Sequence, residues 1–196
     1  MSQPIETSDA HRPTPIGIHL SMPDGLCLPT NELIAAHERV LRTDGRGALE
    51  YGGNQGYEGL REWLASDYRS KELAAVAAQS IVLTSSASGG LKDLCDALIT
   101  PEDVILTEQP TFSGSIRTLV ASGAKVVGIT ITQDGLDPDD LEQTVREVER
   151  AGKRVKLLYT VPNFNNPTAA LPSVERRERI AEICRAANIF VVQDSD

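Results

Sequence analysis

From Ser80 onward, short apolar runs alternate with amphipathic stretches of helical length, and that alternation leaves few folds open. The runs are 81–84, 104–107, 125–131, 155–161 and 189–192. Short apolar runs of this kind, bounded by turn residues, read as strands of a buried sheet. The stretches between them, 91–99, 113–122, 138–150 and 172–188, are predicted to be helical. Asp137, Pro138, Asp139 and Asp140 make a strong helix start, with an Asp cap, proline at the first helical position and acids in the first turn. Strand–helix–strand repetition predicts an α/β fold with a mostly parallel sheet.

Ahead of this region, 1–15 reads as a loose arm and 16–20 as a short alternating run. Thr30 is a candidate cap for a helix over 31–42, with Leu33, Ile34, His37, Val40 and Leu41 on its inner face. A glycine-rich turn at 51–56 leads into a helix over 58–69, in which Leu60, Trp63 and Leu64 are expected to face inward. The 196 residues suffice for one ordinary domain, and 40% apolar with 24% charged content reads as globular and soluble. A net charge of −9 argues against a nucleic-acid partner. No stretch reaches transmembrane length, and 1–12 is too polar for a signal peptide, so no membrane association is expected. Cys27, Cys95 and Cys184 fit neither a metal spacing nor a disulfide framework, which points to a cytoplasmic protein without a metal. His11, His19 and His37 show no ligand pattern.

Chemistry-bearing residues gather where the apolar runs end. The run 155–161 breaks at Pro162 and is followed by Asn163, Asn165, Asn166 and Pro167. Amides past the carboxyl end of a strand suit a ligand site in an open α/β sheet, and they equally suit an ordinary turn. The small residues 85–90 offer backbone N–H groups and a helix dipole to an anion, or a plain helix cap by Ser88. Phe112 is either core or a ring contact, and Asp194 either a turn residue or a functional carboxylate. Arg176, Arg177 and Arg179 read as a solvated basic face. There is no Gly-x-Gly-x-x-Gly, Walker or Gly-x-Ser-x-Gly pattern, so a nucleotide-binding doubly wound domain rests on the 85–90 loop alone.

The stretch 162–168, Pro-Asn-Phe-Asn-Asn-Pro-Thr, resembles the P-N-x-x-N-P-T-G segment of fold-type-I aminotransferases of class I/II, the aspartate aminotransferase superfamily. Its 2-aminoadipate and aromatic branch is the nearest in pattern. The resemblance implies a three-layer α/β/α large domain and pyridoxal 5′-phosphate as cofactor. It implies transfer of an amino group between an amino acid and a 2-oxo acid. Asn166 would then hydrogen-bond the cofactor's phenolic oxygen. Residues 51–61 resemble Y-x-x-x-x-G-x-x-x-L-R, in which the tyrosine, here Tyr51, reaches the cofactor phosphate of the other subunit of a homodimer. Ser86, Ala87 and Ser88 fall on the phosphate cup, with Ser86 standing where the family usually has glycine. Phe112, in E-x-P-x-Y/F, would stack on the pyridine ring. Asp194, in E/D-D-x-x-Y, would pair with the ring nitrogen. Ala169 is a second departure from glycine.

The same resemblance implies an arm and small-domain or interface segment over 1–50 and a partial cofactor-binding large domain over 51–196. The family's Schiff-base lysine matches none of Lys71, Lys92, Lys125, Lys153 and Lys156. The chain alone is therefore expected to be inactive unless completed, with a non-catalytic or partner-dependent chain that at most binds cofactor as the alternative. The strand at 81–84 is expected to stand apart from the others, because the family pairs it with a strand beyond residue 196.

Overall fold

The structure, a computed structural model, describes residues 25–71 and 75–195. These divide into two compact units between Gly52 and Gly53. The arm and alternating run expected over 1–20 lie outside the described residues.

In the first unit, 3-10 turns at Gly25–Cys27 and Gly47–Leu49 flank helix α1, Thr30–Thr43. Pro29 holds the cap position and Thr30 is already helical, so Thr30 is not the cap. Proline brings no side-chain acceptor; the turn closes instead through Leu33 N–H on the Pro29 carbonyl, 3.0 Å. Leu33, Ile34, Val40 and Leu41, the expected inner face, are exposed.

In the second unit, helix α2 spans Glu58–Ser70 and α3 Ala87–Leu98. Then follow β1 Val104–Gln109, α4 Ser113–Ala121, β2 Lys125–Thr132 and β3 Gly135–Leu136. The chain continues through α5 Pro138–Arg150, β4 Val155–Thr160, α6 Val174–Ala186 and β5 Phe190–Gln193. The five strands form one sheet in the order β3-β2-β1-β4-β5. β2, β1, β4 and β5 run parallel, and only β3 is antiparallel. Successive connections step outward from β1 to β2 and then cross to β4 on its other side. That reversal makes the carboxyl ends of β1 and β4 a topological switch point.

Alternating strand residues feed two cores. Val104, Leu106, Val155 and Leu158 pack with Leu141 and Val145 of α5 and Cys184 of α6. Ile105, Leu157 and Tyr159 pack on the opposite face with Leu91 and Cys95 of α3 and Leu119 of α4. This is an α/β/α arrangement. Asp137 Oδ1 accepts the Asp139 N–H at 2.9 Å, so α5 begins where its sequence says it must.

Residues 81–84 stand apart from the sheet as expected, though not as a buried strand, and two helix expectations need correcting. Residues 81–84 are extended but belong to no ladder, and Val82 is 57% exposed. Their backbone ties are Ile81 N–H to the Ala78 carbonyl, 3.2 Å, and Leu83 N–H to the Gln55 carbonyl, 2.9 Å. An apolar run becomes a strand only when a neighbour accepts its hydrogen bonds. On α2, Leu60 and Trp63 are exposed, while Arg61 and Ala65 are buried. Arg61 goes inward because Nη1 donates to the Ala78 carbonyl at 2.9 Å and Nε to that of Gly56 at 3.3 Å. Helix α3 starts four residues earlier than 91, because Ser86 and not Ser88 caps it, its Oγ accepting the Gly89 N–H at 3.0 Å.

Candidate active site

The carboxyl end of β5 delivers Asp194. Its backbone N–H donates to the Thr160 carbonyl of β4 at 2.9 Å, extending the β4–β5 pairing by one bond. Its Oδ2 accepts the Tyr159 hydroxyl at 2.6 Å. Tyr159 is 1% exposed and its oxygen also meets Ser115 Oγ of α4 at 2.7 Å. A buried phenol needs a partner for its hydroxyl, and here it has two. Burial first, and then the hydrogen bond to Asp194, hold the Tyr159 phenol well above its ordinary value, so it keeps its proton. That single proton goes to Asp194, so Ser115 must donate to Tyr159. The result is a directed chain, Ser115 to Tyr159 to Asp194, across α4, β4 and β5. Asp194 Oδ1 makes no hydrogen bond among the described residues.

On the other face of the sheet, Glu108 of β1 is 3% exposed and collects three donors. Thr160 Oγ1 lies 2.6 Å from its Oε1, and the Val161 N–H and Asn165 Nδ2 lie 2.9 and 2.7 Å from Oε2. Asn165 is 2% exposed, and its Oδ1 accepts from Thr168 Oγ1 at 2.8 Å. Asn166, the next residue, is exposed, and its side chain makes no hydrogen bond among the described residues. Arg177 of α6 ties the loop from outside: Nη2 donates to the Pro162 carbonyl at 2.9 Å and Nε to the Pro172 carbonyl at 3.1 Å. It is half-buried, not part of a solvated face as its neighbours suggested. Within this loop Phe164 and Ala169 have φ of +49° and +57°. For side chains with a Cβ this left-handed region costs energy.

Phe112 stands at the N-terminus of α4, half in solvent. Its ring lies over Gly114, where a Cβ would come within 2.9 Å of Cζ. Only glycine lets the ring rest there. Phe112 and Gly114 line a cavity of about 610 Å³ between α3 and α4, together with Ser88, Gly89 and Arg117. Ser86 has φ −168° and ψ 161°, extended backbone open to any residue, so a serine in place of glycine imposes no strain. The N–H groups of Ala87 and Ser88, in the first turn of α3, have no acceptor among the described residues. Thr107 and Thr111 Oγ1 are buried without partners.

Ser88 and Phe112 thus share one cavity; Asp194 connects to α4 through Tyr159; Asn166 hangs from Glu108 by way of Asn165. Tyr51 belongs to the first unit and is fully exposed. Sequence reasoning missed Tyr159, Ser115 and Glu108, named Asn165 only as one of the loop amides, and read Arg177 as solvated. One signal was available: a tyrosine in an otherwise aliphatic buried run must find a polar partner. Among the described residues no acid, cysteine and histidine cluster suits a metal, and no helix is long and apolar enough to cross a membrane.

Known proteins share this mostly parallel sheet. The sequence profile of the class I and II aminotransferases matches residues 18–195, and the chain belongs to that family. It is 28% identical to aromatic-amino-acid aminotransferase 1 of Thermococcus litoralis over 97% of its own length and 45% of the relative's. Among solved structures, an archaeal alanine:glyoxylate aminotransferase superposes with a TM-score of 0.83 at 31% identity, over 88% of this chain and 42% of the other. LysN, the α-aminoadipate aminotransferase of Thermus thermophilus, superposes at 0.78 with 25% identity over 88% and 42%; that structure holds N-(5′-phosphopyridoxyl)-L-leucine. The family uses pyridoxal 5′-phosphate. The chain spans less than half the length of the relatives it matches.

Proposed function

We propose that this chain is the amino-terminal part of a pyridoxal 5′-phosphate-dependent aminotransferase that moves an amino group between an amino acid and a 2-oxo acid. The arm and interface segment covers 1–50 and the cofactor-binding part 51–196. The covalent lysine comes from a carboxy-terminal part. The observation that carries this reading is the half-buried Asp194 carboxylate, held by Tyr159 with one oxygen uncommitted. When bound, the cofactor's protonated ring supplies the electron sink for the bond broken at the substrate's α-carbon. Asp194 holds the proton on the ring nitrogen, because a carboxylate beside the cation favours the charged form.

The remaining residues fit the same group. Asn166 has an amide free to donate to the phenolic oxygen. Phe112, propped on Gly114, offers a ring face. Ser86, Ala87 and Ser88 present a helix N-terminus with unpaired N–H groups to the phosphate. Tyr51 of a second copy completes the phosphate contacts in a homodimer, in keeping with its exposure. The substrates are those of the aromatic and 2-aminoadipate branch, the enzyme works in the cytoplasm, and neither nucleic acid nor membrane takes part.

The test joins the chain to the carboxy-terminal half of the Thermococcus relative. Turnover is expected, and Asp194→Ala should cut it on the order of 10²–10³-fold, the scale for deleting one group preorganised against developing charge. Equal turnover in both proteins removes Asp194 from the chemistry.

A further inference from the structure

The three elements that carry Phe112, Asn166 and Asp194 leave the sheet from neighbouring strands, and one side chain touches the root of each. Glu108 lies on β1, four residues before Phe112, which caps α4 just past the strand's end. Its Oε1 takes the hydroxyl of Thr160, whose carbonyl holds the Asp194 N–H. Its Oε2 takes the Val161 N–H and the side-chain amide of Asn165, the residue before Asn166. All three donors lie within 2.9 Å of a carboxylate that is 3% exposed. Water does not replace such contacts, and a buried carboxylate is retained only where donors surround it. The loop needs holding: it starts at Pro162, contains two left-handed residues that are not glycine, and exposes Phe164. Left to its own preferences, that backbone would relax.

We propose that Glu108 is a positioning residue: it fixes the direction of Asn166 by clamping Asn165 and Val161 to β1. Arg177 closes the loop from the α6 side, and Glu108 sets its orientation at the sheet. The inference rests on the reading of Asn166 as a contact to the cofactor's phenolic oxygen.

Two measurements on the 196-residue chain test it. The first is amide hydrogen exchange in wild type, Glu108→Gln and Asn165→Ala. Glutamine keeps the shape but turns one acceptor into a donor facing donors. Asn165→Ala cuts the same link while leaving Glu108 its bonds to Thr160 and Val161, so it serves if Glu108→Gln fails to fold. Exchange over 161–169 should rise at least tenfold in both, with α5 and β2 unchanged. Loop exchange at the wild-type rate in Asn165→Ala overturns the clamp.

The second is binding of pyridoxamine 5′-phosphate and its 3-deoxy analogue. Wild type should prefer the 3-hydroxyl ligand, and the variants should lose that preference while binding the 3-deoxy ligand as before. A merely structural role weakens both ligands by the same factor, and that result overturns the proposal. If wild type binds neither ligand, the cofactor reading fails for this chain, and the exchange measurement still decides whether Glu108 clamps the loop.

Discussion

Tyr159→Phe removes one oxygen from the centre of the second unit and leaves the ring in its core. Two bonds go. The one to Asp194, 2.6 Å long and charge-assisted, is worth about 1.5–3 kcal/mol, and the one from Ser115 about 1 kcal/mol. Asp194 is half-exposed and recovers water, whereas Ser115, 6% exposed, is left without an acceptor. The net loss should be about 2–3 kcal/mol. For a chain of this size that lowers Tm by roughly 4–12 °C.

The pH dependence gives a second reading of the same perturbation. Burial, then the bond to Asp194, raise the Tyr159 phenol above its ordinary 10.0. The folded state therefore holds that proton more tightly than the unfolded state. The stability this gives is fully present below about pH 10 and drains as pH rises toward the folded value, at up to about 1.4 kcal/mol per pH unit. Urea titrations at pH 7, 9, 10 and 11 should show wild type and Tyr159→Phe converging above pH 10. A difference at pH 7 below about 0.5 kcal/mol, or two curves parallel through pH 11, would refute the relay from Ser115 to Asp194.

Two further outcomes are expected. Ala169→Gly should stabilise the chain by about 0.5–1 kcal/mol, the relief of a left-handed Cβ less the added freedom of glycine in the unfolded chain, and a thermal melt reads it as a rise of a few degrees. Thiol labelling at pH 8 should modify exposed Cys27 quickly and spare Cys184, whose thiol burial pushes up to about 11, leaving roughly one molecule in a thousand as thiolate. Rapid labelling of Cys184 in the native chain would contradict its place in the core.

What the sequence made legible was whatever depends on a residue's immediate neighbours. β1, β2, β4 and β5 lie where the apolar runs lie, and the Asp137–Pro138 start of α5 is a local capping device. The three-layer fold and the family follow from the order of such local signals. Partnership was illegible. Residues 81–84 are as apolar as β5, yet only β5 has a ladder; nothing in the run itself tells the two apart, and only the family resemblance set 81–84 aside. Arg61 and Arg177 look like surface residues until carbonyls of other segments appear beside them. Tyr159 and Asp194 are separated by all of α6 in the chain and by 2.6 Å in space. No periodicity in one dimension reports that pair. In the candidate site the outer residues Phe112, Asn166 and Asp194 were readable as motif positions. Tyr159 and Ser115, which lie behind Asp194, were not.

The Arg177 tie has a consequence for variation. By gripping the Pro162 and Pro172 carbonyls with one guanidinium, α6 fixes both ends of the intervening segment. The distance across that gap is set by the helix, and the sequence in between does not set it. Closing a loop costs little more as it lengthens, and less again when its ends are already held. Exposed residues between the two prolines other than Asn166 can therefore be exchanged without shifting β4 against α6, while Asn165 stays tied to Glu108. A chain built this way separates the part that must stay constant from the part that can be rewritten.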